Sequence, residues 1–184
     1  MDGVVSLLDD EHNLLINALW EVLDHDFGVN YLIQHVPIPH FSYHVADQYD
    51  RARVEQLIEN VARTQPLMKV RATGIALFTG QAPILYVPVV RTAELTRLHE
   101  TLWGPASAAA RGTQDYYHPQ RWMPHITLAQ GDLDDVSLMR IFERWSTRSF
   151  EWEITINNLA LICDVEDNDF SECRVRMEFG GGRG

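Results

Sequence analysis

Trp122-Met123-Pro124-His125-Ile126-Thr127-Leu128 is the stretch that decides how this chain is read, because Pro39-His40-Phe41-Ser42-Tyr43 carries the same pattern 85 positions earlier, at 40 against 125. Each copy runs proline, histidine, apolar, hydroxyl, apolar. On an extended strand successive side chains point to opposite faces. Each histidine therefore shares a face with its hydroxyl, while Phe41, Tyr43, Ile126 and Leu128 turn into the body. Two imidazoles and two hydroxyls on one cleft can hold a phosphate and move protons on both sides of it.

Outward from the motifs, the two halves follow the same order. Apolar residues at helical spacing (Leu8, Leu15, Leu19, Val22) predict a helix from Ser6, taken as its cap, to a stop at Gly28. The strand around His40 to Val45 follows, its entrance kept extended by Pro37 and Pro39. Asp47 is the expected cap of a helix whose inner face is Val54, Leu57, Ile58 and Val61. Val70–Phe78 and Ile84–Val90 read as paired strands, the second at an edge or ending at Pro88. In the second half Thr92 opens a helix with Leu95, Leu98 and Leu102 on one face, interrupted at Gly104-Pro105. After the His125 strand, Asp132, Asp134 and Asp135 introduce a helix carrying Leu138, Phe142 and Trp145. The run from Phe150 to Ile156 alternates strictly, and its phase slips at Asn157-Asn158, which predicts a bulge. A last strand alternates Val175, Met177 and Phe179 against Arg174, Arg176 and Glu178.

A shift of 85 superimposes these elements, with Asp47 on Asp132. The expected architecture is α+β: one bilobal domain over 1–179, with pseudo-symmetric lobes near 1–90 and 91–179. Each lobe is an antiparallel sheet with helices outside, and the cleft lies between them. Residues 180–184, Gly-Gly-Gly-Arg-Gly, read as a flexible tail.

The doubled His-x-Ser/Thr-x motif resembles the signature of the 2H phosphoesterase superfamily, which includes the 2'-5' RNA ligase-like proteins and the 2',3'-cyclic phosphodiesterases. The resemblance covers nearly the whole chain. Ser42 stands where threonine is common and Tyr43 where an aliphatic residue is usual; serine keeps the hydroxyl. What the resemblance implies is cofactor-free, metal-independent chemistry on 2',3'-cyclic phosphates or 2'-5' linkages, with His40, Ser42, His125 and Thr127 as the catalytic set. Histidine titrates near neutrality, so one ring can act as base while the other acts as acid. Which ring does which stays open. RNA 2'-5' ligation would be the reverse of the same chemistry. A non-catalytic module binding nucleotides or RNA ends in the same cleft is the alternative.

Further substrate contacts are sought near the motif strands. Tyr86, Trp122 and Tyr31 are candidates for stacking on a base, with core packing as the competing role. Arg121, Arg91 and Lys69 are candidates for a terminal phosphate. His44 shares the strand face of His40 and Ser42 and is a candidate substrate contact, but its counterpart Ala129 favours a structural role. His35, His40, His44, His118 and His125 raise the possibility of zinc; the His40–His44 spacing falls on a strand rather than a helix, which weighs against it.

The 184 residues are 46% hydrophobic and 22% charged, with a net charge of −11. So acidic a chain is not built to grip long nucleic acid, which needs many Lys and Arg contacts. The expected partner is a small nucleotide or an RNA-end phosphate, with no membrane partner and a monomeric protein. No secretory leader pattern or membrane-length apolar run occurs, so a cytoplasmic location is expected. Cys163 and Cys173 could face each other across a hairpin, but in such a location reduced structural thiols are the more usual expectation, and the sequence leaves their redox state open. The acidic run Asp164–Asp169 reads as a solvated hairpin loop, without calcium-loop spacing.

Overall fold

The computed structural model describes residues 1–163 and 175–180. Its first element is a strand that periodicity does not predict, β1 (Asp2–Leu7). Val4, Val5 and Leu7 are all buried. Such a run carries no alternation, because both faces of the strand are covered. Ser6 is thus a strand residue rather than a helix cap. Its hydroxyl bonds Tyr43 Oη at 2.8 Å and donates to the Asn158 carbonyl at 2.7 Å. Helix α1 (Asp10–Phe27) begins later, capped by Asp9, whose carboxylate accepts from His12 N. It stops at Gly28, in the left-handed conformation (φ 68°) that glycine tolerates best.

A short helix α2 (Tyr31–His35) leads to the motif strand β2 (His40–Ala46) and the two-residue β3 (Gln48–Tyr49). Helix α3 (Arg51–Thr64) is capped by Asp50, not Asp47. Strands β4 (Met68–Thr73), β5 (Ala76–Phe78) and β6 (Ile84–Pro88) follow, β6 ending at its proline. Helix α4 (Ala93–Ala108) starts at Thr92 as expected but runs through Gly104-Pro105 without interruption. Pro105 is exposed and lies in the last turn, so its missing N–H removes a single bond on the solvent side. The two-residue β7 (Ala110–Arg111) pairs with β3, and a 3-10 turn covers Asp115–Tyr117. Then come β8 (His125–Ala129), α5 (Asp135–Trp145, capped by Asp134), β9 (Glu151–Ile156), β10 (Asn158–Ile162) and β11 (Val175–Glu178).

Apart from the short β3–β7 pair, the strands form two antiparallel groups. One is ordered β11-β10-β1-β2. The other joins the β4–β9 ladder to the β5-β6-β8 sheet through the Ala72–Val89 bridge. This pairing does not follow a division at residue 90. The His40 sheet takes β10 and β11 from the second half, and the His125 sheet takes β4, β5 and β6 from the first. The helices exchange as well: α4 packs on β2, while α1 packs on β8.

The phase slip at Asn157-Asn158 is where the chain passes from one sheet to the other, not a bulge within one strand. Asn158 is fully buried there, accepting from Leu7 N at 2.9 Å and donating to Leu7 O at 3.0 Å. Its side-chain amide thus stands in for a strand partner. Gly180 is held too, its N–H donating to the Ala62 carbonyl at 2.9 Å, so the expected tail does not begin there. Residues 181–184, the Asp164–Asp169 run and Cys173 lie outside the described residues. Cys163 is disulfide-bonded, which corrects the expectation of a reduced thiol. Among the described residues no helix is long and apolar enough to cross a membrane.

Candidate active site

Each motif strand lies at the edge of its sheet, and the two edges face each other. Between them is a cavity of about 570 Å³ that His40, Ser42, His125 and Thr127 all line. The proline in each motif shapes the approach to its histidine. A residue before proline is kept extended, and in both copies the carbonyl before that proline meets the imidazole. His40 Nδ1 lies 2.6 Å from the Ile38 carbonyl, and His125 Nδ1 lies 2.7 Å from the Met123 carbonyl. A carbonyl only accepts, so Nδ1 carries the proton in both rings. Nε2 is left as the basic nitrogen of each.

Burial holds the pKa of both histidines below the ordinary range. The Ile38 and Met123 carbonyls pull the other way, and the nearness of His125 lowers His40 further. Both rings are therefore neutral in the empty cleft at pH 7. His125 is held at its sides by Phe78 and Tyr86, with ring centroids 5.0 and 5.1 Å away.

The hydroxyl residues are anchored through their backbones by tryptophans from the opposite half of the chain. Trp122 Nε1 donates to the Ser42 carbonyl at 2.8 Å, and Trp20 Nε1 donates to the Thr127 carbonyl at 3.3 Å. Beyond each hydroxyl the pairing register slips by one residue. Val5 faces Ser42 while Val4 faces His44, leaving Tyr43 as the extra residue. Tyr86 faces Thr127 while Leu85 faces Ala129, leaving Leu128 extra. Such a slip turns the following side chains to the other face. Val45 and Gln130 consequently line the cavity, at the same 85-residue offset. Simple alternation misses both, and places His44 where it is not.

Residues 9–168 match the model of the 2'-5' RNA ligase superfamily. The chain belongs to this superfamily. Two solved structures share the fold: TT0787 of Thermus thermophilus, at 15% identity and TM-score 0.63 with 98% of each chain covered, and a protein described as a phosphoesterase, at 11% identity and TM-score 0.52 with 97% of this chain and 94% of the other covered. No curated protein matches the sequence.

In this member of the 2'-5' RNA ligase superfamily, the four further residues predicted as substrate contacts do not line the cavity. His44 is fully buried behind it, its Nδ1 2.5 Å from Tyr49 Oη and its Nε2 3.0 Å from Ser107 Oγ. Trp122 is 2% exposed and stacks on His99 at 3.9 Å. Tyr86 is buried against Phe78 and His125. Arg121 is exposed and paired with Asp115. Of the other cations considered, Arg91 donates to the Trp122 and Pro119 carbonyls and Lys69 pairs with Glu153. Tyr31 does line the cavity, together with His35, Leu32 and Tyr117. The strand pattern gave no signal for Leu32, His35 or Tyr117, which reach the cavity from α2 and the 3-10 turn. Among the described residues no three His, Cys, Asp or Glu side chains converge to hold a metal ion.

Proposed function

We propose that the protein is a phosphodiesterase of the 2H type, opening 2',3'-cyclic phosphates or 2'-5' linkages by two-histidine acid–base catalysis without a metal. The observation that carries this reading is the matched pair of imidazoles. Each is fixed in the same tautomer by a carbonyl two residues upstream, which leaves Nε2 as its basic nitrogen, and both rings line one shared cavity.

In the proposed reaction one neutral ring takes a proton from water as the water oxygen bonds to phosphorus. The P–O bond to the ribose oxygen breaks, and the other ring, as imidazolium, protonates that oxygen. Because both rings are neutral when the cleft is empty, the second proton enters with the anionic substrate, whose charge stabilises an imidazolium. Ser42 and Thr127 donate hydrogen bonds to the non-bridging oxygens as charge develops there. The two rings exchange protonation states in the forward step. With a 5'-hydroxyl in place of the water, the same proton transfers on a 2',3'-cyclic phosphate would form a P–O bond to that hydroxyl oxygen, break the bond to the 3'-oxygen and so join a 2'-5' linkage.

The test is a panel of nucleoside 2',3'-cyclic phosphates, ADP-ribose cyclic phosphate and 2'-5' dinucleotides, assayed in chelator with wild type, His40→Ala and His125→Ala. Turnover by wild type and a loss of roughly 10²–10⁴-fold in each variant is expected, the usual worth of a general acid or base. Tight binding without turnover, unchanged in His125→Ala, would instead identify a binding module. Activity that disappears with chelator would point to metal-dependent hydrolysis.

A further inference from the structure

The 85-residue repeat makes the two histidine–hydroxyl pairs alike, but it does not make the whole cavity alike. Tyr31 of α2 lines the cavity, whereas its counterpart, at 116 against 31, is Tyr116, which is 82% exposed and does not. His35 lines the cavity too, and its counterpart Gln120 does not. Gln130 brings to the cavity an amide that can both donate and accept, where its counterpart Val45 brings only methyl groups.

These three residues are held together. Tyr31 and His35 stand at i and i+4 on α2, the spacing that puts two side chains on one helix face, and their ring centroids are 4.4 Å apart. The Tyr31 ring packs on the backbone next to Gln130: a Cβ at Gly131 would lie 2.7 Å from Tyr31 Cγ, so only glycine admits that approach. One residue further, the Asp132 carboxylate accepts from Asn30 N at 2.7 Å and from Tyr31 N at 2.8 Å, and so ties the start of α2 to the loop after β8. The aromatic pair and the strand end that carries the amide are therefore joined before any ligand arrives. Tyr31 is still 37% exposed, so its ring keeps surface on which to stack. A flat ligand with a π face and polar edges uses both features, the face on the rings and an edge on the amide.

We propose that Tyr31, His35 and Gln130 form a nucleobase subsite, the aromatic pair stacking on the base and Gln130 bonding its edge, so that the substrate carries a base beside the reacting phosphate. This rests on the phosphodiesterase reading above, which puts that phosphate between His40 and His125. The subsite also gives the substrate one direction across catalytic residues that the repeat makes equivalent.

The experiment compares adenosine and uridine 2',3'-cyclic phosphates with methyl β-riboside 2',3'-cyclic phosphate, which has the same reacting group and no base. In wild type kcat/KM should favour the better nucleoside by about 5- to 100-fold, the usual worth of one stacked base. Tyr31→Ala should bring that ratio close to one, mainly through KM, and Tyr31→Phe, which keeps the ring, should retain it. His35→Ala and Gln130→Ala should each lower the ratio by about two- to tenfold. A ratio near one in wild type would overturn the proposal. So would a ratio that survives Tyr31→Ala, including an equal loss on all substrates, since Tyr31 would then merely support the fold. With His40→Ala inactive on every substrate, the phosphodiesterase reading would survive either result. Calorimetric binding of the 2'-monophosphates of the same compounds gives a readout without turnover. The same preference there, lost in Tyr31→Ala, with no cyclic phosphate hydrolysed by wild type, would uphold the subsite and sink the phosphodiesterase reading.

Discussion

Burial decides the charge of the two site histidines before any substrate arrives. Both are held below the usual 6.5, so the free protein has both macroscopic pKa values on the acid side of that figure. Catalysis by one neutral and one protonated ring requires the state between those two values. The pH profile of kcat/KM, which reports the free enzyme, is therefore expected to be bell-shaped with its maximum below pH 6.5. Activity should fall above it as the acid ring loses its proton; a maximum well above 7 would contradict this assignment. The second residue-scale prediction concerns Tyr86, whose ring packs against His125. Tyr86→Ala should lower kcat by about tenfold with a smaller change in KM, because a loosened ring misses its near-attack position. Steady-state kinetics on the same cyclic nucleotide would check it.

Two elements bear unusual weight. The passage from β9 to β10 transfers the chain between sheets, and the Asn158 amide satisfies both Leu7 backbone groups in a fully buried setting. Asn158→Leu removes that amide and leaves the Leu7 N–H and C=O unpaired. A loss of about 2–4 kcal/mol is expected, readable as a lower urea midpoint at unchanged slope. The second element is the link between β2 and the turn after β7. Gly112 has φ 66° and packs directly on the Asp47 carboxylate, so a Cβ there would collide with it. Gly112→Ala should destabilise by about 1–3 kcal/mol from the left-handed backbone and the displaced carboxylate, measurable in the same denaturation. The expected Asp47–Asp132 equivalence survives in this different role. Neither residue caps a helix; each reaches across to the other half, Asp132 accepting from Asn30 N and Tyr31 N at 2.7 and 2.8 Å.

At the scale of the molecule, the expected pH dependence of stability centres on two buried histidines that do not line the cavity. His44 and His99 are fully buried, and each pKa is lowered to about 4, chiefly by burial; the nearness of His99 adds to the effect on His44, and Arg91 and His118 add to that on His99 against the pull of its two carbonyls. Between pH 6.5 and about 4 the unfolded chain takes up protons that the folded one refuses. Stability is therefore complete above pH 6.5 and falls as pH drops through that window. The loss is at most about 3 kcal/mol for either histidine. Thermal midpoints across that range should decline, and His44→Gln should flatten the decline. A midpoint independent of pH from 7 to 4.5 would show that neither ring stays neutral in the fold.

The sequence alone determined the site motif, because proline, histidine and hydroxyl at fixed strand spacing act locally: they set the tautomer-fixing carbonyl and the shared face of His40 with Ser42 and of His125 with Thr127. It also determined the caps at Thr92 and Gly28, where one side chain or one backbone angle suffices. Only the tertiary structure decided the rest. Which half supplies which strand depends on long-range pairing, which local periodicity does not encode, and β1 was hidden because both its faces are buried. The register slips at Tyr43 and Leu128 moved His44 away from the cleft and brought Val45 and Gln130 to it, since a slip is a relation between two strands and is written in neither one.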